Sequence, residues 1–347
     1  MDVRLTMLGL AMVALAVALS PVGPQRQVPR ATPGATEAPP TPVEVQADKI
    51  RERDPIEVMV RQAALIENPL NESVTGYVYM SIPINGSHQE AYLADAPPGT
   101  TVQIDDEGNP YLVIEMGLGP GERTWVNVTV KVVLRPYVVS WVASRRQWPP
   151  LNVTSLYTGR TTFWDTYNET LRRLAFDVAG SDDDPYLIVK SLAHWVSGHL
   201  DYNVRFDRLG SDGAVRRGRT GLYVYGDCTE VADVFVTLAR ILGIPSRTAY
   251  GIMRLRPSAT YWANLTSHDY REWTGHVWPQ VYIEPLGWVD VEMLEGGAPK
   301  VGDYSWRHVV YGIEARKFMG SDFLGAFCRT SFGSEPLYLE VTISEGW

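Results

Sequence analysis

The sequence predicts an α+β chain, a β-rich half followed by a mixed half, and three observations carry that prediction. Period-two alternation recurs between residues 74 and 133. Further on, Val231, Val234, Phe235, Leu238 and Leu242 follow the run Tyr225-Gly226-Asp227-Cys228-Thr229-Glu230 at helical spacing. Two more alternating segments, 276–283 and 288–292, come after that helix.

Bulk composition narrows the function classes. A chain of 347 residues has the length for two domains plus appendages, and 45% hydrophobic residues give it a real core. The net charge of −9 gives no case for nucleic-acid binding. Two cysteines, Cys228 and Cys328, cannot build a disulfide-dense scaffold. There is no His-Glu-x-x-His or Cys-x-x-Cys, and the six histidines are scattered. No metal and no cofactor are therefore expected.

Residues 1–20 read as a signal peptide or membrane anchor. Arg4 precedes an apolar run over 5–19 that ends at Ser20-Pro21. The run falls short of the roughly 20 residues of a spanning helix. Ala14-Leu15-Ala16 and Ala16-Val17-Ala18 supply cleavage triplets, so a cleaved signal is preferred to a retained membrane tether. Either way the rest lies outside the cytoplasm, secreted or at the cell surface. Six of the nine asparagines open an Asn-x-Ser/Thr triplet (Asn71, Asn85, Asn127, Asn152, Asn168 and Asn264), an excess that points to a glycoprotein. Residues 21–50 form a linker, with seven prolines between Pro21 and Pro42.

Residues 51–145 read as a β-sandwich domain. Val78, Met80 and Ile82 alternate with Tyr77, Tyr79 and Ser81, and Val126, Val128, Val130 and Val132 with Asn127, Thr129 and Lys131. Tyr111 to Met116 is a further strand after a polar turn. From 150 to 315 the pattern is mixed. Asp184-Pro185 caps a helix with the stripe Leu187, Ile188, Leu192, Trp195, Val196 and Leu200. The loop over 203–220 carries Arg205, Arg208, Arg216, Arg217 and Arg219, and reads as a solvated loop, with attraction of acidic substrates as the alternative. Gly243 and Pro245 stop the Cys228 helix, and 246–253 is a strand. Residues 254–275 read as one long connection whose Tyr261, Trp262, His268, Tyr270 and Trp273 line a cleft or pack down as a lid. Residues 316–347 close the chain as a C-terminal β segment holding Cys328 as a buried thiol; a Cys228–Cys328 disulfide is the competing expectation.

The chemistry concentrates at two places. A thiol at a helix N-terminus sits among unpaired N–H groups at the positive end of the dipole, which favours thiolate. Along the later pair of strands, His276, Trp278, Gln280 and Tyr282 share a face with Trp288, Asp290 and Glu292, provided a five-residue loop pairs Gln280 with Asp290. A thiol nucleophile needs an imidazole to take its proton and an acid to orient that imidazole. Cys228, His276 and an acid at 290 or 292 supply all three.

These residues resemble the transglutaminase-like superfamily, whose fold is similar to papain-type cysteine proteases. The resemblance rests on Gly226-Asp227-Cys228-Thr229-Glu230 with Gly243-Ile244-Pro245-Ser246-Arg247, on His276-Val277-Trp278-Pro279-Gln280-Val281-Tyr282, and on Gly287-Trp288-Val289-Asp290-Val291-Glu292. It covers about 190 to 295. It implies a helix bearing the cysteine packed on an antiparallel sheet bearing histidine and acid. The family's acid is usually aspartate, whereas the register here places Glu292 there, so Glu292 stands ahead of Asp290. The Cys228 backbone N–H would serve the oxyanion hole. The expected activity is cysteine-dependent acyl transfer on protein or peptide amides, with hydrolysis preferred to cross-linking. The alternative is a non-catalytic surface-binding or scaffold module.

Overall fold

The computed structural model describes residues 50–141, 147–205, 207–254, 260–264, 269–270, 273–314, 328–333 and 335–345, without the side chains of 260–264, 269–270 and 273–274. The expected signal segment and proline-rich linker lie outside the described residues.

Alternation builds a two-layer sandwich. Strands Thr260–Asn264, Tyr338–Glu345, Ile56–Glu67, Arg123–Leu134 and Gln89–Asp95 lie side by side, with Asp269–Tyr270 at one edge. The second sheet runs Cys328–Thr330, Val74–Ser81, Pro110–Leu118, Thr101–Ile104. Val126, Val128, Val130 and Val132 turn inward with Val58, Val60, Val78 and Met80, all buried. Each such side chain contributes roughly 1.5–3 kcal/mol. Asn127 points out to solvent, as the period demands.

Two features of the sandwich depart from the expectations. Residues 254–275 are not one unstructured connection. They contribute Thr260–Asn264, which pairs with Tyr338–Glu345, and Asp269–Tyr270, which pairs with Thr260–Asn264. Their aromatic side chains lie outside the described residues. The C-terminal segment supplies one interior strand of the sandwich, Tyr338–Glu345, which pairs with Ile56–Glu67 along eight positions, and one edge strand, Cys328–Thr330. Cys328 sits buried opposite Met80, and both cysteines are free. Burial pushes the Cys328 thiol up to about 12, which makes it an inert core group.

The other half sets helices Glu169–Ala179, Pro185–Gly198 and Cys228–Ile241 against an antiparallel sheet ordered Lys300–Val301, Gly287–Glu292, Trp273–Ile283, Ser246–Arg254, His308–Glu314. Asp184 caps its helix through the Tyr186 and Leu187 N–H groups. That helix stops at Gly198, short of Leu200, because Leu200–Tyr202 pairs parallel with Gly221–Gly226. Val231, Val234, Phe235 and Leu238 bury against Val281, Ile283, Val289 and Val291.

The arginine-bearing loop is not wholly solvated. Arg208 Nη2 and Nε donate to Asp233 Oδ1 and Oδ2 at 2.7 and 2.9 Å, and Nη1 lies 2.7 Å from Glu314 Oε2. Asp233 belongs to the cysteine helix and Glu314 to the edge strand of the sheet, so one guanidinium ties the two layers together. Burial opposes its charge, but the two carboxylates outweigh that and hold Arg208 above its ordinary value. Removing one member of a buried ion group leaves the others uncompensated. Arg208→Met is therefore expected to lower unfolding stability by about 3–5 kcal/mol in urea titrations. A change within about 0.5 kcal/mol, the size of an ordinary surface substitution, would mean the clamp carries no weight.

Candidate active site

The site begins with a glycine that only a glycine can replace. Gly226 ends its strand at φ +148°, and a Cβ there would lie 2.5 Å from the Glu230 side chain. That close turn places Asp227 as helix cap. Its Oδ1 accepts from Thr229 N–H at 3.0 Å, while Glu230 Oε2 accepts from Asp227 N–H at 3.1 Å. The reciprocal cap fixes the first turn and leaves Cys228, half-buried, as the first helical residue facing a cleft of about 380 Å³.

The hairpin delivers the partners in the expected register. Gln280 pairs with Asp290 and Ile283 with Gly287. His276 and Glu292 then meet on one face, with His276 Nε2 2.8 Å from Glu292 Oε2 and both residues about 5% exposed. Cys228 is the other hydrogen-bond partner of His276. Because Glu292 takes Nε2, Nδ1 is the nitrogen left for the sulfur.

Asp290, the other acid of that face, does not reach the histidine. Its Oδ1 accepts from Trp278 Nε1 and Gln280 Nε2, each at 2.9 Å, and its Oδ2 from the Tyr137 hydroxyl at 2.8 Å. The Asp290 N–H in turn donates to that hydroxyl. All three of these bonds are made to groups other than the histidine.

A residue that sequence reasoning missed completes the centre. His308 Nε2 lies 3.1 Å from the same Glu292 Oε2 that holds His276. His308 opens the strand His308–Glu314, which reaches this place by crossing to the far side of Ser246–Arg254. No spacing rule links positions 292 and 308. The only signal in the sequence is a histidine that opens a short continuous apolar run.

Electrostatics follow from burial and pairing. Burial pushes the Glu292 carboxyl up, but the hydrogen bonds from His276 and His308 outweigh it and hold the group well below the usual carboxylate range. An ionised carboxylate only accepts, so both Nε2 atoms carry protons. Burial would lower His276, but its hydrogen bonds to Cys228 and Glu292 and their charges prevail and raise it from 6.5 to about 10. His276, Glu292 and His308 also bring three donor atoms within 4.8 Å of one another. That N,N,O set suits a zinc ion. Such an ion would displace both Nε2 protons.

Residues 172–293 match the family model described as the transglutaminase-like superfamily. Among solved structures, the chain is similar to a protein described as a candidate cysteine protease from Cytophaga hutchinsonii. The identity is 12% and the TM-score 0.47, over 86% of this chain and 100% of that one. It is also similar to the periplasmic domain of TgpA from Pseudomonas aeruginosa bound to ethylmercury, at 13% identity and TM-score 0.32, over 67% of this chain and 88% of that one. A third, described as a candidate protease from Parabacteroides distasonis, matches at 9% identity and TM-score 0.26, over 75% of this chain and 68% of that one. No curated protein matches.

The paired shifts predict a stability profile. The raised His276 contributes stability fully present below 6.5 and lost as pH rises through about 10. The lowered Glu292 contributes stability present above its ordinary 4.5 and lost as pH falls below it. Urea unfolding is therefore expected to give a maximum between those two ordinary values and a decline on the alkaline side. In His276→Gln the alkaline decline should flatten; the same slope in both proteins would refute the assignment.

Proposed function

Because residues 172–293 form a transglutaminase-like core domain, we propose that this chain is an exported, cysteine-dependent acyl-transfer enzyme that hydrolyses amide bonds of proteins or peptides. The superfamily is one of cysteine-dependent enzymes. The observation that carries the reading is the chain of contacts Cys228–His276–Glu292 at the edge of one cleft.

In this mechanism the imidazolium of His276 sits beside the sulfur and supports the thiolate. The Cys228 Sγ attacks the amide carbonyl carbon and forms a C–S bond. The Thr229 N–H is occupied by the Asp227 cap, so the Cys228 N–H is the group offered to the developing oxyanion. His276 gives its proton to the leaving nitrogen as the C–N bond breaks. Water then attacks the thioester, His276 takes a proton from it, and the acid product leaves Cys228 free. Glu292 supports the imidazolium and fixes its ring, and His308 holds Glu292 from the other side. Water is favoured over an amine as acceptor because none of the described residues lining the cleft is an acid that would hold an ammonium group.

Export rests on the leader and the sequons. Asn71, Asn85, Asn127 and Asn152 are exposed where a glycan has room.

Cleavage of a fluorescently labelled peptide library separates the roles. Cys228→Ala should abolish it with the fold intact. Glu292→Gln should lose about a hundredfold or more, because an amide neither supports the imidazolium nor fixes its tautomer as the carboxylate does, whereas Asp290→Asn should cost stability and far less rate. Equal rate losses at the two acids would contradict the assignment. His308→Gln, which keeps an N–H for Glu292, should retain more activity than His308→Leu; equal activity in those two would remove His308 from the mechanism.

A further inference from the structure

The cleft beside Cys228 has a definite chemical character that the acyl-transfer reading leaves open. One wall is Leu200 and Tyr202, two residues apart on the same short strand and therefore on the same side. That strand is pinned by its parallel pairing to the strand leading into Cys228, Tyr202 standing opposite Gly226. The other wall is Met293 and Leu294, which follow Glu292 directly in the chain. Leu294 N–H donates to Glu292 Oε1 at 2.6 Å, so the carboxylate that orients His276 through one oxygen positions this wall through the other. Met253 joins the two walls from the neighbouring strand. Apart from Cys228 and His276 themselves, no described residue lining the cleft can carry a charge at neutral pH, because burial, with the nearby Cys228, Asp227 and Glu230, raises the Tyr202 phenol to about 12.

A volume of about 380 Å³ accepts a large side chain. Methionine walls adapt to aliphatic and aromatic shapes alike. A charged side chain placed there would lose its water and find no partner among these residues. We infer that this cleft is a subsite for a large uncharged apolar side chain, of leucine, methionine or phenylalanine type, on the acyl side of the bond attacked by Cys228. This deepens the acyl-transfer reading and rests on it.

Met253 offers a way to test the subsite by changing its wall. It lines the cleft, is half-buried, and stands two residues from Gly251, the partner of His276 across the strands, and so on the face that carries His276. Lysine there places a charge on the apolar wall.

The experiment compares three thiol-directed probes on the Cys328→Ser protein: iodoacetamide, and the chloromethyl ketones of N-acetyl-leucine and N-acetyl-aspartate. The leucine probe should react at least about tenfold faster than the aspartate probe, the worth of burying one large apolar side chain. In Met253→Lys that ratio should collapse to or below the value the two probes show with a free thiol. Equal rates for the two ketones, or a faster aspartate probe, with iodoacetamide alkylation still dependent on His276, would overturn the subsite while leaving the nucleophile in place. Iodoacetamide alkylation that is indifferent to His276→Ala would overturn the acyl-transfer reading itself, and the subsite with it.

Discussion

A single buried carboxylate organises this molecule. Glu292 accepts from His276 and His308 through Oε2 and from Leu294 N–H through Oε1. A lone carboxylate in a dry interior is costly enough that it would take up a proton. Three donors supplied from the long strand, the far edge strand and the following turn remove that cost. The charge then stays in place and, together with the Cys228 contact, lifts His276. The hairpin register, the crossing of the His308 strand and the turn after Glu292 are all held to the geometry of one oxygen pair. A one-residue slip of the hairpin would turn Glu292 to the opposite face and leave both imidazoles without an acceptor.

The two acids of the hairpin show how position divides labour between similar groups. Asp290 and Glu292 share a face, yet Asp290 is surrounded by the Tyr137, Trp278 and Gln280 donors. Tyr137 comes from the short strand Tyr137–Val139 that follows the sandwich and pairs with Asp303–Tyr304. The β-rich half thus reaches under the hairpin and stiffens it at Asp290, two residues from Glu292. Arg208 performs the matching task on the other side, fastening the cysteine helix to the end of the strand that His308 begins. Both sides of the Cys–His contact are fixed by groups that never touch it.

What could be read from the sequence is what local periodicity and short-range turns decide. The Cys228 helix, its glycine turn and its stop signals are set within a single stretch of chain. The hairpin register followed from loop length and the facing of Gln280 and Asp290. His308 was not legible because its contact is made by sheet order: the strand it opens lies beyond Ser246–Arg254, and nothing near position 308 records that. The same reason hid the role of 254–275 and of the C-terminal strands, the latter with pairing partners up to 287 residues earlier in the chain, as Glu345 opposite Val58. Arg208 resembled its four neighbours in a polar loop; only the acids of two distant elements, Asp233 and Glu314, distinguish it. That Glu292 is the acid that meets His276 was legible in direction, since register favoured it, but what occupies Asp290 was not: one of its donors is Tyr137 from far upstream.

The central claim is that Glu292 keeps His276 charged against Cys228. Nuclear magnetic resonance of isotope-labelled histidine, with the His276 signal assigned through His276→Gln, reads this directly. His276 should remain an imidazolium until pH approaches about 10, and in Glu292→Gln its titration should fall below that, with the Cys228 contact alone still holding it up. A wild-type His276 that already titrates at the ordinary value of about 6.5, unchanged by the loss of the carboxylate, would contradict the account.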